Sequence, residues 1–166
     1  IRIDHMIKVG INGFGRIGRL ILRAILENYK SKIQVVGVND LGSIDANAHL
    51  IKYDSTHGTL NHDVKISGSG FQIDDQNIKV FAERDPSKLP WGKIGADVVL
   101  ECTGFFLDKA SAGKHIEAGA KKVIISAPAK EVDFTVVQGV NSKDLKKEHN
   151  IISNGSCTTN CLAPVA

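Results

Sequence analysis

The chain has 166 residues, 42% of them hydrophobic, enough to bury one sizeable core and within the usual range of a single domain. Charged residues make up 23% and the net charge is +3, with no lysine or arginine tract dense enough to make nucleic acid the main partner; acidic small molecules fit this mild basic excess better. No apolar run approaches the roughly 18 residues of a membrane helix and no signal-peptide core follows the start, so no membrane partner and a soluble, cytoplasmic protein are expected.

Residues 1–5 precede the only methionine, Met6, and read as cloning residue, so the fold is expected to begin at Met6. "MIKVGIN" is rich in β-branched residues and stops at Gly13, the texture of a strand buried on both faces. A helix follows, with Ile17, Leu20, Ile21, Ala24 and Ile25 as its apolar stripe and "ENYKSK" as its polar close. "IQVVGVND", Ile33 to Asp40, completes a strand, helix and parallel strand of βαβ size. "SIDANAHLIKYDS" predicts a shorter helix capped at Asp45 and packed through Ala48, Leu50 and Ile51.

Between His62 and Arg84 the pattern alternates and is broken by Gly-Ser and Asp-Asp-Gln-Asn turn chemistry, which predicts an antiparallel excursion. "ADVVLECTG" returns to a buried strand, "LDKASAGKHIEAG" is a helix stopped by Gly119, and "KKVIISAP", "FTVVQGV" and "NIISN" predict three further strands. "NSKDLKKEHN" is expected to be a solvated loop or short helix. The sum is an α/β, doubly wound, mostly parallel sheet of Rossmann type. The final "CTTNCLAPVA" has an apolar start and no cap, so this chain is expected to be only the first part of a longer protein.

Two constellations carry chemistry. Gly13, Gly15 and Gly18 follow a predicted strand, open a predicted helix and precede Asp40 by 22 residues counted from Gly18. In that context Gly13 permits the turn, Gly15 lets a pyrophosphate approach the backbone and Gly18 lets helix and strand pack; the alternative is a tight turn with no ligand. Arg16 adds charge to a phosphate site or is merely solvated. Asp40 accepts hydrogen bonds from a ribose diol and repels a 2′-phosphate, favouring NAD over NADP, unless it is an ordinary turn residue.

The second constellation is "SNGSCTTNC", which places Cys157 in a first helical turn, where N–H groups and the helix dipole favour a thiolate. From spacing alone a buried inert cysteine is the competing reading. Cys161 is expected to pack, and Cys102, within "VVLECTG", to be core. The three cysteines form no C-x-x-C pair and have no histidine at zinc-ligand spacing, so neither disulfides nor a metal is expected. His49, His57, His62, His115 and His149 read as surface or capping residues, and no general base is identifiable.

Together "INGFGRIGR", "NAHLIKYDSTHG", "AERDPSKLPW", "ECTGFF", "ISAPA", "GVN" and "SNGSCTTNCLAP" resemble the glyceraldehyde-3-phosphate dehydrogenase family over nearly all of Met6 to Ala166. The resemblance implies a glycolytic enzyme, tetrameric in full length. Its thiolate at Cys157 attacks glyceraldehyde 3-phosphate, hydride passes to NAD, and inorganic phosphate releases 1,3-bisphosphoglycerate. It places Arg16 and Ile17 at the pyrophosphate, Asp40 at the adenosine ribose, Arg84 beside the adenine, and Thr103, Gly104 and Ser126 along the nicotinamide side. Ser156 and Thr158 resemble the family's phosphate-contacting residues. Residues 6–155 are then the NAD-binding domain and 156–166 the start of the nucleophile's helix, with the family's catalytic histidine, its substrate-phosphate arginine and most of its C-terminal substrate domain beyond Ala166. These residues alone are expected to bind NAD and to catalyse poorly. Ala129 and Gly155 depart from the family's common serine and alanine without touching this chemistry. An erythrose-4-phosphate dehydrogenase, and a non-catalytic dinucleotide-binding module with an inert Cys157, are the competing readings.

Overall fold

A computed structural model describes residues 6–166; the proposed cloning residues 1–5 lie outside the described residues. The strands are β1 (Ile7–Asn12), β2 (Ile33–Asn39), β3 (Tyr53–Asp54), β4 (Gly58–Thr59), β5 (Val64–Ser67), β6 (Gly70–Ile73), β7 (Gln76–Phe81), β8 (Val98–Glu101), β9 (Lys122–Ile125), β10 (Phe134–Thr135) and β11 (Ile151–Ser153). The helices are α1 (Arg16–Ala24), α2 (Ile44–Lys52), α3 (Lys109–Glu117) and α4 (Cys157–Leu162).

Nine strands form one sheet in the order β10-β11-β9-β8-β1-β2-β7-β6-β5. Pairing is parallel from β10 to β7, and the excursion β5-β6-β7 is antiparallel, as the alternating pattern predicts. From β1 the chain builds outward through β2 on one side and then through β8 and β9 on the other. The strand order therefore reverses between β1 and β8, which is where open α/β sheets bind ligands. At that point Asn12 and Glu101, the last residues of the two strands, are register partners.

The first helix docks on a face that only partly coincides with the one read off its apolar residues: Ile21 and Ile25 pack in the core as expected, but the face is turned away from Ile17 and Ala24. Its buried residues are Gly18, Leu22 and Arg23, followed by Ile25 and Leu26, whereas Ile17 is 49% exposed and Ala24 is also exposed. The reason is close approach: a Cβ on Gly18 would lie 2.2 Å from the Gly13 carbonyl oxygen and 3.1 Å from Ile11 Cγ2. The glycine face is thus the docked face, and Ile17, about 100° round the helix, turns outward. Past Ala24 the helix continues as a wider π turn, Ile25–Tyr29.

Helix α2 is capped by Ser43, whose Oγ accepts the Ala46 N–H at 3.2 Å, rather than by Asp45. It buries Asn47 and Ile51 and leaves Leu50 exposed, correcting the expected stripe. Arg23 is buried beneath it and donates to the carbonyls of Ile51, Lys52 and Gly58, tying α1 to α2 and to the β3-β4 hairpin. Helix α3 ends as expected at Gly119, with φ +101. The "FTVVQGV" strand is only two residues long, because the Asn141 side chain takes the Val137 N–H at 2.8 Å and donates to the Thr135 carbonyl at 3.0 Å. "NSKDLKKEHN" forms a short 3₁₀ turn at Ser142–Asp144.

Candidate functional site

Strands β1, β2, β8, β9 and β11 run parallel, so their carboxyl ends, Asn12, Asn39, Glu101, Ile125 and Ser153, share one edge of the sheet. At the switch point that edge opens into a cleft of about 330 Å³, lined by Asn12, Gly13, Asn39, Asp40, Leu41, Glu83, Arg84, Thr103, Phe105 and Phe106. Four residues anticipated from sequence, Gly13, Asp40, Arg84 and Thr103, meet there.

The glycine turn is built by backbone proximity. Gly13 has φ +91, its N–H donates to the Asn39 carbonyl at 2.8 Å, and a Cβ on it would lie 2.7 Å from Thr103 N. Gly15, the N-cap of α1, differs: the space around a Cβ there is open to 4 Å. The N–H groups of Arg16, Ile17 and Gly18 precede the first intrahelical bond, from Arg19 N–H to Gly15 O at 3.1 Å, and stand at the positive end of the helix. An open glycine beside such donors is what a pyrophosphate requires.

Asp40 braces this turn. Its Oδ2 accepts the Phe14 N–H at 2.9 Å, and its Oδ1 accepts the Gly42 N–H at 2.8 Å and the Asn47 amide at 3.4 Å, so Oδ2 keeps a lone pair for a further donor. The Arg16 side chain does not aim at the cleft: its guanidinium pairs with Asp54, leaving its main-chain N–H at the helix start. The Asp54 side chain also accepts N–H bonds from His57 and Thr56, which, with Arg16, hold its carboxyl far below the usual range.

Across the switch point, Thr103 donates through its N–H at 2.8 Å and through its hydroxyl to Glu101 Oε1. Gly104 has φ +77 with open space about it, and the Ser126 N–H donates to the Glu101 carbonyl at 3.0 Å. Cys102 packs against the core, and burial pushes its thiol up to about 12, which disfavours the thiolate.

Cys157 is the first residue of α4 and is exposed. Gly155, at φ +68, turns the chain out of β11, with its N–H donating to Ser153 Oγ at 3.0 Å. Ser156 caps the helix by accepting the Thr159 N–H at 2.9 Å, its hydroxyl lies 3.0 Å from that of Thr158, and Asn160 closes the turn onto the Asn154 carbonyl at 2.6 Å. Ser126, Ser156, Cys157 and Thr158 thus follow β9 and β11 on the same edge, outside the cleft itself. Cys161, expected to pack, is exposed, because α4 buries none of its residues among those described.

Several residues of the site were missed from sequence. Asn12 and Asn39 each end an apolar strand, a polar residue where only apolar ones are required, and that was the available signal. His115, read as a surface or capping residue, is fully buried, and so is Glu101. Among the described residues no group of three His, Cys, Asp or Glu side chains is arranged to hold a metal ion.

A parallel sheet with a glycine turn, a helix N-terminus and a carboxylate at its switch point defines a Rossmann-type dinucleotide-binding domain. Residues 7–109 match the family described as glyceraldehyde 3-phosphate dehydrogenase, NAD binding domain. The chain is 55% identical over 161 residues to the glyceraldehyde-3-phosphate dehydrogenase of Priestia megaterium, covering 96% of the chain and 48% of that protein. Over the same shares it is 56% identical to glyceraldehyde-3-phosphate dehydrogenase 1 of Bacillus subtilis and 57% identical to the enzyme of Geobacillus stearothermophilus. The chain belongs to the glyceraldehyde-3-phosphate dehydrogenase family and carries its NAD-binding domain; it spans about half the length of the curated relatives it matches.

Proposed function

We propose that the protein performs the NAD-dependent, phosphorylating oxidation of glyceraldehyde 3-phosphate to 1,3-bisphosphoglycerate, with Cys157 as the nucleophile. The observation that carries this reading is the shared edge: an exposed cysteine opens a helix on the same carboxyl side of the sheet as the cleft at the switch point. Residues 6–155 serve as the NAD-binding domain, and 156–166 begin the element that presents the nucleophile.

The N–H groups of Arg16 and Ile17 hold the pyrophosphate at the turn through Gly13, Gly15 and Gly18. Asp40 accepts from the adenosine ribose, and its charge rejects a 2′-phosphate. Arg84 borders the adenine, while Thr103, Gly104 and Ser126 lie along the nicotinamide side. Bound NAD supplies the hydride acceptor. Cys157 adds as thiolate to the aldehyde carbon, giving a thiohemiacetal whose oxidation leaves a thioester on the sulfur. Inorganic phosphate attacks that carbonyl carbon and expels the thiolate, releasing the acyl phosphate. The hydroxyls of Ser156 and Thr158 flank the sulfur and hold the phosphate. A cytoplasmic homotetramer is the setting we assign to the whole protein, whose general base and substrate-phosphate arginine we place beyond Ala166.

Competitive alkylation tests the nucleophile. Cys157 and Cys161 are both exposed, so exposure alone predicts equal rates, whereas an activated thiolate reacts first. Iodoacetamide near neutral pH, followed by peptide mass spectrometry, should label Cys157 well ahead of Cys161, with Cys102 last. Equal labelling of Cys157 and Cys161 would remove the nucleophile from this reading. Calorimetry with NAD and NADP tests the cofactor half, NAD being expected to bind more tightly.

A further inference from the structure

Beneath the cleft runs a chain of buried polar side chains that the proposed chemistry does not use. Trp91, His115 and Glu101 are fully buried, and Asn12 and Asn39 are nearly so. The Trp91 indole N–H donates to His115 Nδ1 at 3.0 Å, and His115 Nε2 lies 2.9 Å from Glu101 Oε2. From the other side, the Glu83 N–H donates to Asn39 Oδ1 at 2.8 Å, Asn39 Nδ2 to Asn12 Oδ1 at 2.7 Å, and Asn12 Nδ2 to Glu101 Oε2 at 2.6 Å. Glu101 Oε1 receives the Thr103 N–H and hydroxyl.

Both ends of this chain are groups that only donate: an indole N–H and a backbone N–H. They fix every member between them. Because Trp91 occupies Nδ1 as an acceptor, the His115 ring proton sits on Nε2 and points at Glu101. Because Glu83 N–H requires an oxygen, Asn39 and then Asn12 each present their NH₂ inward. The 3.5 Å approach of Asn12 Nδ2 to His115 Nε2 follows from two donors sharing one oxygen. The side-chain-to-side-chain bonds all run toward one carboxylate, while the second Asn39 Nδ2 hydrogen returns to the Glu83 carbonyl at 2.8 Å, and only an acceptor with two full oxygens satisfies the donors that converge on Glu101.

We infer that Glu101 is a positioning residue for the NAD cleft. Through Asn12 it fixes the end of β1, through Thr103 the loop after β8, and through Asn12 and Asn39 the Glu83–Arg84 segment. Three separate stretches of cleft wall therefore share one buried anchor, and His115 with Trp91 orients that anchor from the far side. The inference rests on the reading of this cleft as the NAD site. A buried network polarised in one direction has no second arrangement of equal energy, so it holds the wall rigid before the ligand arrives.

The test is Glu101→Gln in the full chain. The amide has nearly the same shape, yet it turns an NH₂ on donors at either oxygen position, toward Thr103 or toward Asn12 and His115. Calorimetry should show NAD binding weakened about tenfold or more, the scale of a lost hydrogen bond to a charged group. Val123→Ala, a fully buried control in the separate cluster beneath α3, should leave NAD affinity within about twofold whatever it does to the melting temperature. Wild-type chain that binds no NAD overturns the cofactor reading itself. Wild-type binding with Glu101→Gln binding equally well, or with Val123→Ala weakened as much, overturns the positioning role alone. Should Glu101→Gln fail to fold, Trp91→Phe, which deletes the indole donor, decides: binding should weaken about threefold, and unchanged affinity rejects the inference. In wild-type protein, ¹⁵N NMR should place the His115 proton on Nε2, and a proton on Nδ1 would reverse the network and end the proposal.

Discussion

The glycine turn and the cysteine turn sit on one edge of the same sheet yet are built in opposite ways. The first is made of backbone held against backbone: Gly13 against Thr103, Gly18 against the Gly13 carbonyl, Asp40 across the Phe14 N–H. The second is made of small polar side chains, Ser156, Thr158, Thr159 and Asn160, around a helix that buries nothing among the described residues. The turn proposed to hold a diphosphate is thus fixed by the core, whereas the sulfur proposed as nucleophile is left accessible.

Five substitutions break or sharpen that contrast. The largest effect belongs to Gly18→Ala, whose methyl has nowhere to go 2.2 Å from a carbonyl oxygen. Urea unfolding should show a loss of about 3 kcal/mol or more, since overpacking against backbone cannot relax as it does against side chains. Gly15→Ala, three residues earlier in open space, should unfold like the parent and instead bind NAD more weakly. Matching stability losses at the two positions would abolish the distinction between a packing glycine and a ligand glycine.

Next comes Asp40→Asn. Removing the charge should weaken NAD by about tenfold and narrow its advantage over NADP, both read by calorimetry. A fourth variant, Cys157→Ser, exchanges an exposed side chain and should move stability by no more than about 0.5 kcal/mol, while abolishing the fast alkylation event. Marked destabilisation there would mean that the cysteine turn is as deeply built as the glycine turn.

The smallest effect concerns pH. The Lys109 ammonium at 2.7 Å, with the N–H groups of Ile151 and Asn150, holds the Asp133 carboxyl down to about 2, pinning the start of α3 to β11 just ahead of the cysteine turn. A carboxyl lower in the folded than in the unfolded chain, where about 3.9 is usual, stabilises above that unfolded value. Its contribution is present above about pH 4 and disappears as pH falls toward 2. Asp133→Asn should therefore flatten the acid limb of the unfolding curve and leave its neutral plateau lower, measured by Trp91 fluorescence.

Much of this architecture was legible beforehand, because buried parallel strands need β-branched residues and tight turns need glycine. "MIKVGIN" and "IQVVGVND" mark β1 and β2 to within a residue at their carboxyl ends, and "ADVVLECTG" overruns the end of β8 by three. The faces of the helices were harder. Ile17 and Leu50 are apolar and exposed, since the face that docks on the sheet is chosen by where a glycine permits contact, as Gly18 does, or by where a cap starts the helix, as Ser43 does. Asp54 drew Arg16 from across 38 residues, a pairing with no local trace.

From sequence alone came the order of strands and helices, the glycine turn, the carboxylate 22 residues beyond it and the cysteine at a helix start, because each obeys short-range rules of backbone conformation. Folding decided that Glu101, His115 and Trp91 meet under the cleft, that Asn12 and Asn39 face inward, and that Cys161 stays outside. Those outcomes depend on which distant groups must share hydrogen bonds once water is excluded, and no local stretch of chain carries that information.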